Sequence, residues 1–331
     1  MIVPLRLIVR FGAGGVDFRL FLKTDRQSPF LLARRFYAIM TRMATDPVIK
    51  PTTDLFIAAL WSAPKNEPIL RSLLNAVMTD IGQPPVVSAT VLNPFNVQEY
   101  PTDKQIRLDV RVEDEAKRNY IVEVQTETHT GFYNRMLYYW AETYGSLLER
   151  GNDYDKLRPV RSIVITEFSV FPELKGLHTV FEVRARENPA VLLSEHLQIH
   201  FLRLGNWDRR DTDLEQLCRD LRGWLRFWAF GSKLESDKMS AMLQDVPEVQ
   251  AAYDEYRRFT ADPVMREKVK ARERFLIDQR LDRAEALAEG EAKGRMEEKI
   301  ATARNLKSEG LDPAFIVRMT GLPLSAIERL D

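Results

Sequence analysis

LDVRVEDEAKRNYIVEVQ runs from Leu108 to Gln125. Its apolar letters fall on even numbers: Leu108, Val110 and Val112, then Tyr120, Val122 and Val124. The odd positions carry Asp109, Arg111, Glu123 and Gln125. Alternation with a period of two marks a strand with one buried face. Two such runs flank the charged, glycine-free EDEAKR, so the stretch reads as a β-hairpin. A register symmetric about position 116 sets Asp109 against Glu123. Directly opposed residues of an antiparallel pair hold their Cβ atoms about 4.5–5.5 Å apart. Two carboxylates so placed repel unless a proton, an arginine or a divalent cation offsets their charge. The pair fits two accounts. One is a solvated, salt-bridged sheet face, with Arg111 on the same side. The other is a site for Mg²⁺, a hard cation that takes oxygen ligands and can activate water.

The flanking sequence supplies the rest of a fold. PTTDLFIAALW (51–61) opens with Thr and Asp before an apolar-periodic run, a helix-start signal. Pro64 and Pro68 divide that run into a short helix and a second over roughly 66–80. PPVVSATVLNP (84–94) is β-branched and bounded by prolines, and reads as a strand. After the hairpin, Met136, Tyr139, Trp140, Thr143 and Leu147 share a helical face, and Gly151 follows as a stop. RPVRSIVITEF (158–168) reads as a buried strand and LQIHFLRL (197–204) as another. The order across 54–167 is α–β–β–β–α–β. DTDLEQLCRDLRGWLRFWAFG (211–231) reads as one amphipathic helix with Leu214, Leu217, Leu221, Trp224, Leu225 and Trp228 inward.

Composition changes from about Val264 to Gly310, which is dense in Glu, Lys, Arg and Ala. Ile277, Leu281, Ala284 and Ala288 make a narrow seam suited to pairing with a second copy or a partner. Gly290 and Gly294 each weaken such a helix by about 1 kcal/mol relative to Ala. The last residues, 311–331, read as a small helix-turn-helix-like hairpin. Asp312–Pro313 starts its first helix, Gly321 ends it, and Ser325 starts the next. It shows no basic recognition face.

The 331 residues contain one cysteine, Cys218, which excludes an internal disulfide framework and argues against a structural zinc site. A reducing compartment, the cytoplasm, is the expected home, and no run is apolar enough for a membrane helix. Charge sums to zero but is uneven: residues 1–42 hold eight Lys/Arg and two Asp, against forty basic and forty-six acidic residues beyond. The leader lacks the layout of a secretory signal. Arg-rich and acid-poor, it also resembles an organellar transit peptide, but the preferred reading is that residues 1–42 are an extension upstream of a native start at Met43. The expected divisions are 1–42, a main domain over 43–235, a charged helical region over 236–310, and the hairpin at 311–331.

The α–β–β–β–α–β order, taken with KPTTDLFIAALW, LDVRVEDE, VEVQ, RMLYYWAETY and the Tyr154–Ile163 run YDKLRPVRSI, resembles the PD-(D/E)XK nuclease superfamily. It is similar to the branch of nuclease-family transposases, related to recombination-promoting nucleases, over about 46–230. The resemblance implies a restriction-endonuclease-like α/β core, a mixed sheet flanked by helices, with a helical C-terminal extension. It implies a Mg²⁺-dependent DNA endonuclease, with Mn²⁺ as a substitute, tied to mobile elements or recombination. Asp109 and Glu123 match the motif's two acids, and Gln125 stands where the superfamily has Lys. The ion would be held by Asp109, Glu123 and the carbonyl of Val124, helped by Asp54, whose other reading is a helix-capping acid. Leu108 replaces the motif's Pro. A Lys at 125 would offset phosphate charge, whereas a Gln orients water only through hydrogen bonds. The missing cation falls to Arg135, Lys104 or Lys117. Arg135 and Tyr139, one turn apart, are the expected substrate contacts. His196 and His200 on one strand stand about 13 Å apart, too far for one metal. His129, beyond Glu127, reads as a loop histidine, and GAGG (12–15) lacks the residues of a P-loop. The alternative function is a nuclease-like module that binds DNA or protein without cutting and oligomerises through its C-terminal helix.

Overall fold

The structure is a computed structural model that describes residues 8–12, 15–19, 48–93, 110–126, 131–148, 151, 153–205 and 212–330. Near the N-terminus, β1 (Ile8–Gly12) pairs antiparallel with β2 (Gly15–Arg19). The rest of the expected extension, and Met43 after it, lie outside the described residues.

The main unit spans Val48–Arg272. It opens with α1 (Asp54–Ser62) and α2 (Glu67–Asp80). Next come β3 (Ala89–Val91), β4 (Val110–Asp114) and β5 (Asn119–Gln125). Helix α3 (Phe132–Ser146) leads to β6 (Val160–Thr166), β7 (His178–Glu182) and β8 (Leu197–Arg203). The six strands lie in the order β3-β4-β5-β6-β8-β7. Pairs β5–β6 and β6–β8 are parallel and the others antiparallel, so the sheet is mixed. This is the α/β core that the sequence pattern and the resemblance imply.

Strands β4, β5, β6 and β8 send residues alternately to two layers. Val110, Val112, Tyr120, Val122, Ile163, Ile165 and Leu202 face the larger core, which holds Phe56, Leu70, Leu73 and Leu74 from α1 and α2. The opposite face is smaller: Val164, Ile199 and Phe201 pack under Phe132 and Met136 of α3. The hairpin turn needs no glycine because Asp114 does its work. Its Oδ1 accepts from the amides of Ala116 and Arg118, both at 2.9 Å. Its Oδ2 accepts from the Tyr120 hydroxyl at 2.9 Å. Lys117 takes the left-handed conformation at φ 63°.

Three expectations are corrected. Strand β7 has no counterpart in the sequence reading; it is an edge strand whose residues are half-buried or exposed without alternation. The helix expected over 211–231 breaks into α4 (Thr212–Glu215) and α5 (Arg219–Phe230). Between them the Cys218 amide donates to Asp80 Oδ1 at 2.7 Å instead of continuing a helical ladder. The boundary expected after residue 235 falls inside the main unit. There, α6 (Ser236–Leu243) and α7 (Pro247–Ala261) place Met239, Leu243, Val249, Ala252, Tyr253, Tyr256 and Phe259 in the same core as Phe56 and Phe227.

Helix α8 (Pro263–Ser308) runs through Gly290 and Gly294 without a break. It is followed by α9 (Pro313–Thr320) and α10 (Leu324–Glu328), the latter starting one residue before Ser325. Residues 273–331 belong to a second unit. Ala303, Ile316, Leu322 and Ile327 make its small core. Asp312 caps α9 by accepting from Phe315 N at 3.3 Å, and Gly321 closes it at φ 69°. Lys307 Nζ donates to the carbonyls of Ile327, Glu328 and Leu330, the end of the last helix. No described helix is long and apolar enough to cross a membrane.

A buried polar chain also marks this fold. His178 Nδ1 meets Asp80 Oδ2 at 2.7 Å, and His178 Nε2 meets His200 Nδ1 at 3.0 Å. His200 is fully buried, and burial first, then its neighbours His178 and Arg161, hold its pKa well below the ordinary 6.5. In the unfolded chain it takes a proton near pH 6.5, and in the folded chain it resists. Its contribution to stability is therefore full above that value and is lost on acidification below it. Asp80, whose bonds from His178 and the Cys218 amide outweigh burial and lower its pKa from 3.8, adds the same trend at lower pH. Urea midpoints are expected to fall from pH 8 to pH 5, and less steeply in His200→Gln. An equal slope in both proteins would refute the assignment.

Candidate functional site

Glu123 stands near the C-terminal end of β5, which is hydrogen-bonded to β4 on one side and β6 on the other. The described β4–β5 pairs are Val110–Val122, Arg111–Ile121, Val112–Tyr120 and Glu113–Asn119. Each is centred on position 116, as the sequence pattern requires. Asp109 lies outside the described residues, as do Lys104, Glu127 and His129.

Along β5, Val122 faces the large core and Val124 packs partly against it. Glu123 and Gln125 therefore point the other way, toward α3. That face is not simply solvated, since Glu123 is only 9% exposed. The Gln125 side-chain amide donates to Glu123 Oε1. Arg135 Nη2 donates to Gln125 Oε1 at 3.0 Å and lies 3.8 Å from Glu123 Oε1. A half-buried guanidinium thus offsets the acid's charge, which burial would otherwise make costly.

The local sequence explains how Arg135 gets there. Gly131, at φ 78°, caps α3 in a conformation that suits glycine, and its carbonyl accepts from the Arg135 amide at 2.9 Å. Phe132 and Met136 pin this first turn to Val164, Ile199 and Phe201. Arg135 Cζ lies 6.0 Å from the Phe132 ring centre. Tyr139, one turn on, packs partly against the same cluster. Arg111 reaches α3 as well, with Nη2 3.5 Å from Ser146 Oγ.

The structure therefore joins Glu123, Gln125 and Arg135, with Tyr139 beside them. It places other expected residues elsewhere. Lys117 pairs with Glu113 at 2.7 Å in the hairpin turn, away from the end of β5 that carries Glu123. Asp54 is the first residue of α1; its Oδ1 accepts from the Leu55 amide at 2.8 Å, and its Oδ2 from Arg272 Nε at 3.1 Å. His196 meets the Tyr144 hydroxyl at 2.8 Å, and His200 meets His178. Among the described residues, no three His, Cys, Asp or Glu side chains group as metal ligands do.

One cluster was not anticipated. The Glu167 amide donates to the Gln125 carbonyl at 3.0 Å, tying the end of β6 to the end of β5. The Glu167 carboxylate accepts from Thr52 Oγ1 and pairs with Lys50 Nζ at 2.6 Å. The only sequence signal was position: Lys50 and Thr52 precede the first helix, and Glu167 follows a strand.

The same region decides the classification. A family model for PD-(D/E)XK nuclease family transposases matches residues 51–286. The chain belongs to that family. The match extends past the 46–230 stretch that carries the motifs, through α6 and α7 and into α8, in keeping with the packing of those helices in the main unit. Comparisons with curated proteins and with solved structures found no match. PD-(D/E)XK nucleases act on DNA and generally use divalent metal ions. The donors at the end of β5 are oxygens, a carboxylate, an amide and strand carbonyls, and that chemistry fits a hard cation.

Proposed function

We propose that this family member is a Mg²⁺-dependent endodeoxyribonuclease of the cytoplasm, acting with mobile elements or in recombination. The observation that carries the reading is the union of Glu123, Gln125 and Arg135 at the end of a central strand. Glu123, Asp109 and the Val124 carbonyl would hold the ion, with Asp54 as a further ligand if it gives up Arg272. A bound divalent ion lowers the pKa of water and offsets charge on a phosphoryl oxygen. Gln125 orients the attacking water through its amide. Arg135 supplies the positive charge that a Lys at 125 would have brought, and neutralises the phosphate in the transition state. Tyr139, one turn on, would contact the substrate beside Arg135.

The test is plasmid nicking by the purified chain with Mg²⁺, with Mn²⁺ and with chelator. Nicking that needs the metal and disappears in Asp109→Ala supports the reading. Equal nicking in chelator, or by Asp109→Ala, rejects it. A second reading is favoured by one detail: the amide of Gln125 and the guanidinium of Arg135 already gather on Glu123. A nuclease-like module without cleavage would keep them there. Calorimetry showing no Mg²⁺ or Mn²⁺ binding, with DNA binding intact, selects that reading. In either case the seam of α8, with Ile277 and Leu281 half-buried and Ala284 exposed, is the surface proposed to pair with a second copy.

A further inference from the structure

The flank of α3 beside the site carries an aromatic side chain that the proposed chemistry does not use. Tyr138 is 60% exposed, three residues after Arg135 and therefore on a neighbouring part of the helical surface. Its ring meets Tyr139 edge-on, with centres 6.1 Å apart and planes at 63°. Tyr139 is in turn packed against the cluster that holds Phe132 and Met136, so the exposed ring stands on a supported neighbour. Two cations lie along the same flank: Arg135 over Gln125, and Arg111 against Ser146.

The ring narrows the ligand. Duplex and single-stranded DNA both present phosphate charge, so the two arginines serve either. An exposed aromatic ring beside them is the arrangement that grips an unpaired base, because stacking needs a free base face.

We infer that Tyr138 is a stacking platform for an unpaired nucleobase, and that the DNA entering this site is single-stranded or locally unpaired next to the reacting phosphate. The inference rests on the nuclease reading for its substrate, but its test does not depend on cleavage. Binding is measured in chelator with the full chain, using a short oligonucleotide carrying 2-aminopurine and the same sequence as a duplex. Wild type is expected to bind the single strand more tightly and to quench the fluorescent base. Tyr138→Ala should weaken single-strand binding roughly 5- to 150-fold and abolish quenching, as loss of a base–aromatic stack does. Tyr138→Phe, which keeps the ring, should restore both, and duplex binding should stay unchanged. The platform is overturned if Tyr138→Ala binds the single strand as wild type does, if it loses both forms alike, or if neither form binds. Intact stacking in a chain that never nicks would retain the platform and sink the endonuclease instead.

Discussion

A Glu123→Ala chain is expected to lose metal-stimulated nicking by at least about 100-fold while keeping its fold. The magnitude is that of removing a group that acts on charge developing in a transition state, of order 10²–10³ in rate. The fold survives for reasons visible around the side chain. Glu123 contributes no apolar surface to either core, and its partner Arg135 keeps one-third of its side chain in solvent. The guanidinium therefore stays hydrated after the acid is removed and still donates to Gln125. The ladders to β4 and β6 are backbone bonds and do not depend on residue 123's side chain. Glu123→Gln separates charge from shape, because it preserves the hydrogen bond to Gln125 and removes the anion. Both variants should melt within a few degrees of wild type and both should fail to nick. Nicking by either at more than a tenth of the wild-type rate, in matched Mg²⁺, would remove Glu123 from the chemistry.

The second large effect concerns where the nuclease domain ends. A chain cut after Glu235 is expected to be unfolded or insoluble, whereas one cut after Arg272 should fold. Helix α7 contributes Val249, Ala252, Tyr253, Tyr256 and Phe259 to the main core. Phe56 meets Tyr256 and Phe259 edge-on with centres 5.4 and 5.5 Å apart, and Phe227 meets Tyr253 and Tyr256 near 6 Å. The Tyr256 hydroxyl also donates to the Ile49 carbonyl at 2.6 Å, closing the entry to α1. Burying a large apolar side chain is worth about 1.5–3 kcal/mol, and a whole domain is stable by only about 5–15 kcal/mol. Losing these groups, with Met239 and Leu243 of α6, and exposing their partners removes most of that margin. A cut after Arg272 keeps all of them and also keeps Arg272 on Asp54. Circular dichroism and thermal melting of the two truncations decide the matter. A cooperative melt for the shorter chain near that of the longer one would show that α6 and α7 are an accessory.

Much of this was legible in the sequence, and the reasons are local. The register of the β4–β5 hairpin followed from the even-numbered apolar residues, since a shift of one would have buried Glu123 and Gln125 in the large core and exposed Val122 and Val124. The two helices before it followed from their caps and prolines. What was not legible depends on contacts between distant segments. Strand β7 exists because its residues pair with β8, and its own pattern does not alternate. The break between α4 and α5 depends on an acid 138 residues earlier that captures the Cys218 amide. The domain end expected after residue 235 was set too early, because α7 joins the core through rings on α1 and α5 that are distant in sequence. At the site, the motif gave Glu123 and Gln125, and helical spacing gave Arg135 and Tyr139. Nothing local could have shown that Glu167 bonds to Gln125 or that Lys50 and Thr52 hold its carboxylate.

The place of β5 in the sheet has a consequence for motion. From Asn119 to Val122 its backbone pairs with β4 on one edge and β6 on the other, and both faces of the sheet are covered there by packed side chains. Segments of that kind open only with the whole domain, so their hydrogens exchange with solvent last. Glu123 thus directly follows some of the most slowly opening backbone in the protein and stays paired with β6. Tyr138, by contrast, projects from the solvent side of a helix. Adjustment to an incoming strand therefore belongs to side chains on α3 and to the strand itself, with the acid as the fixed point against which they align.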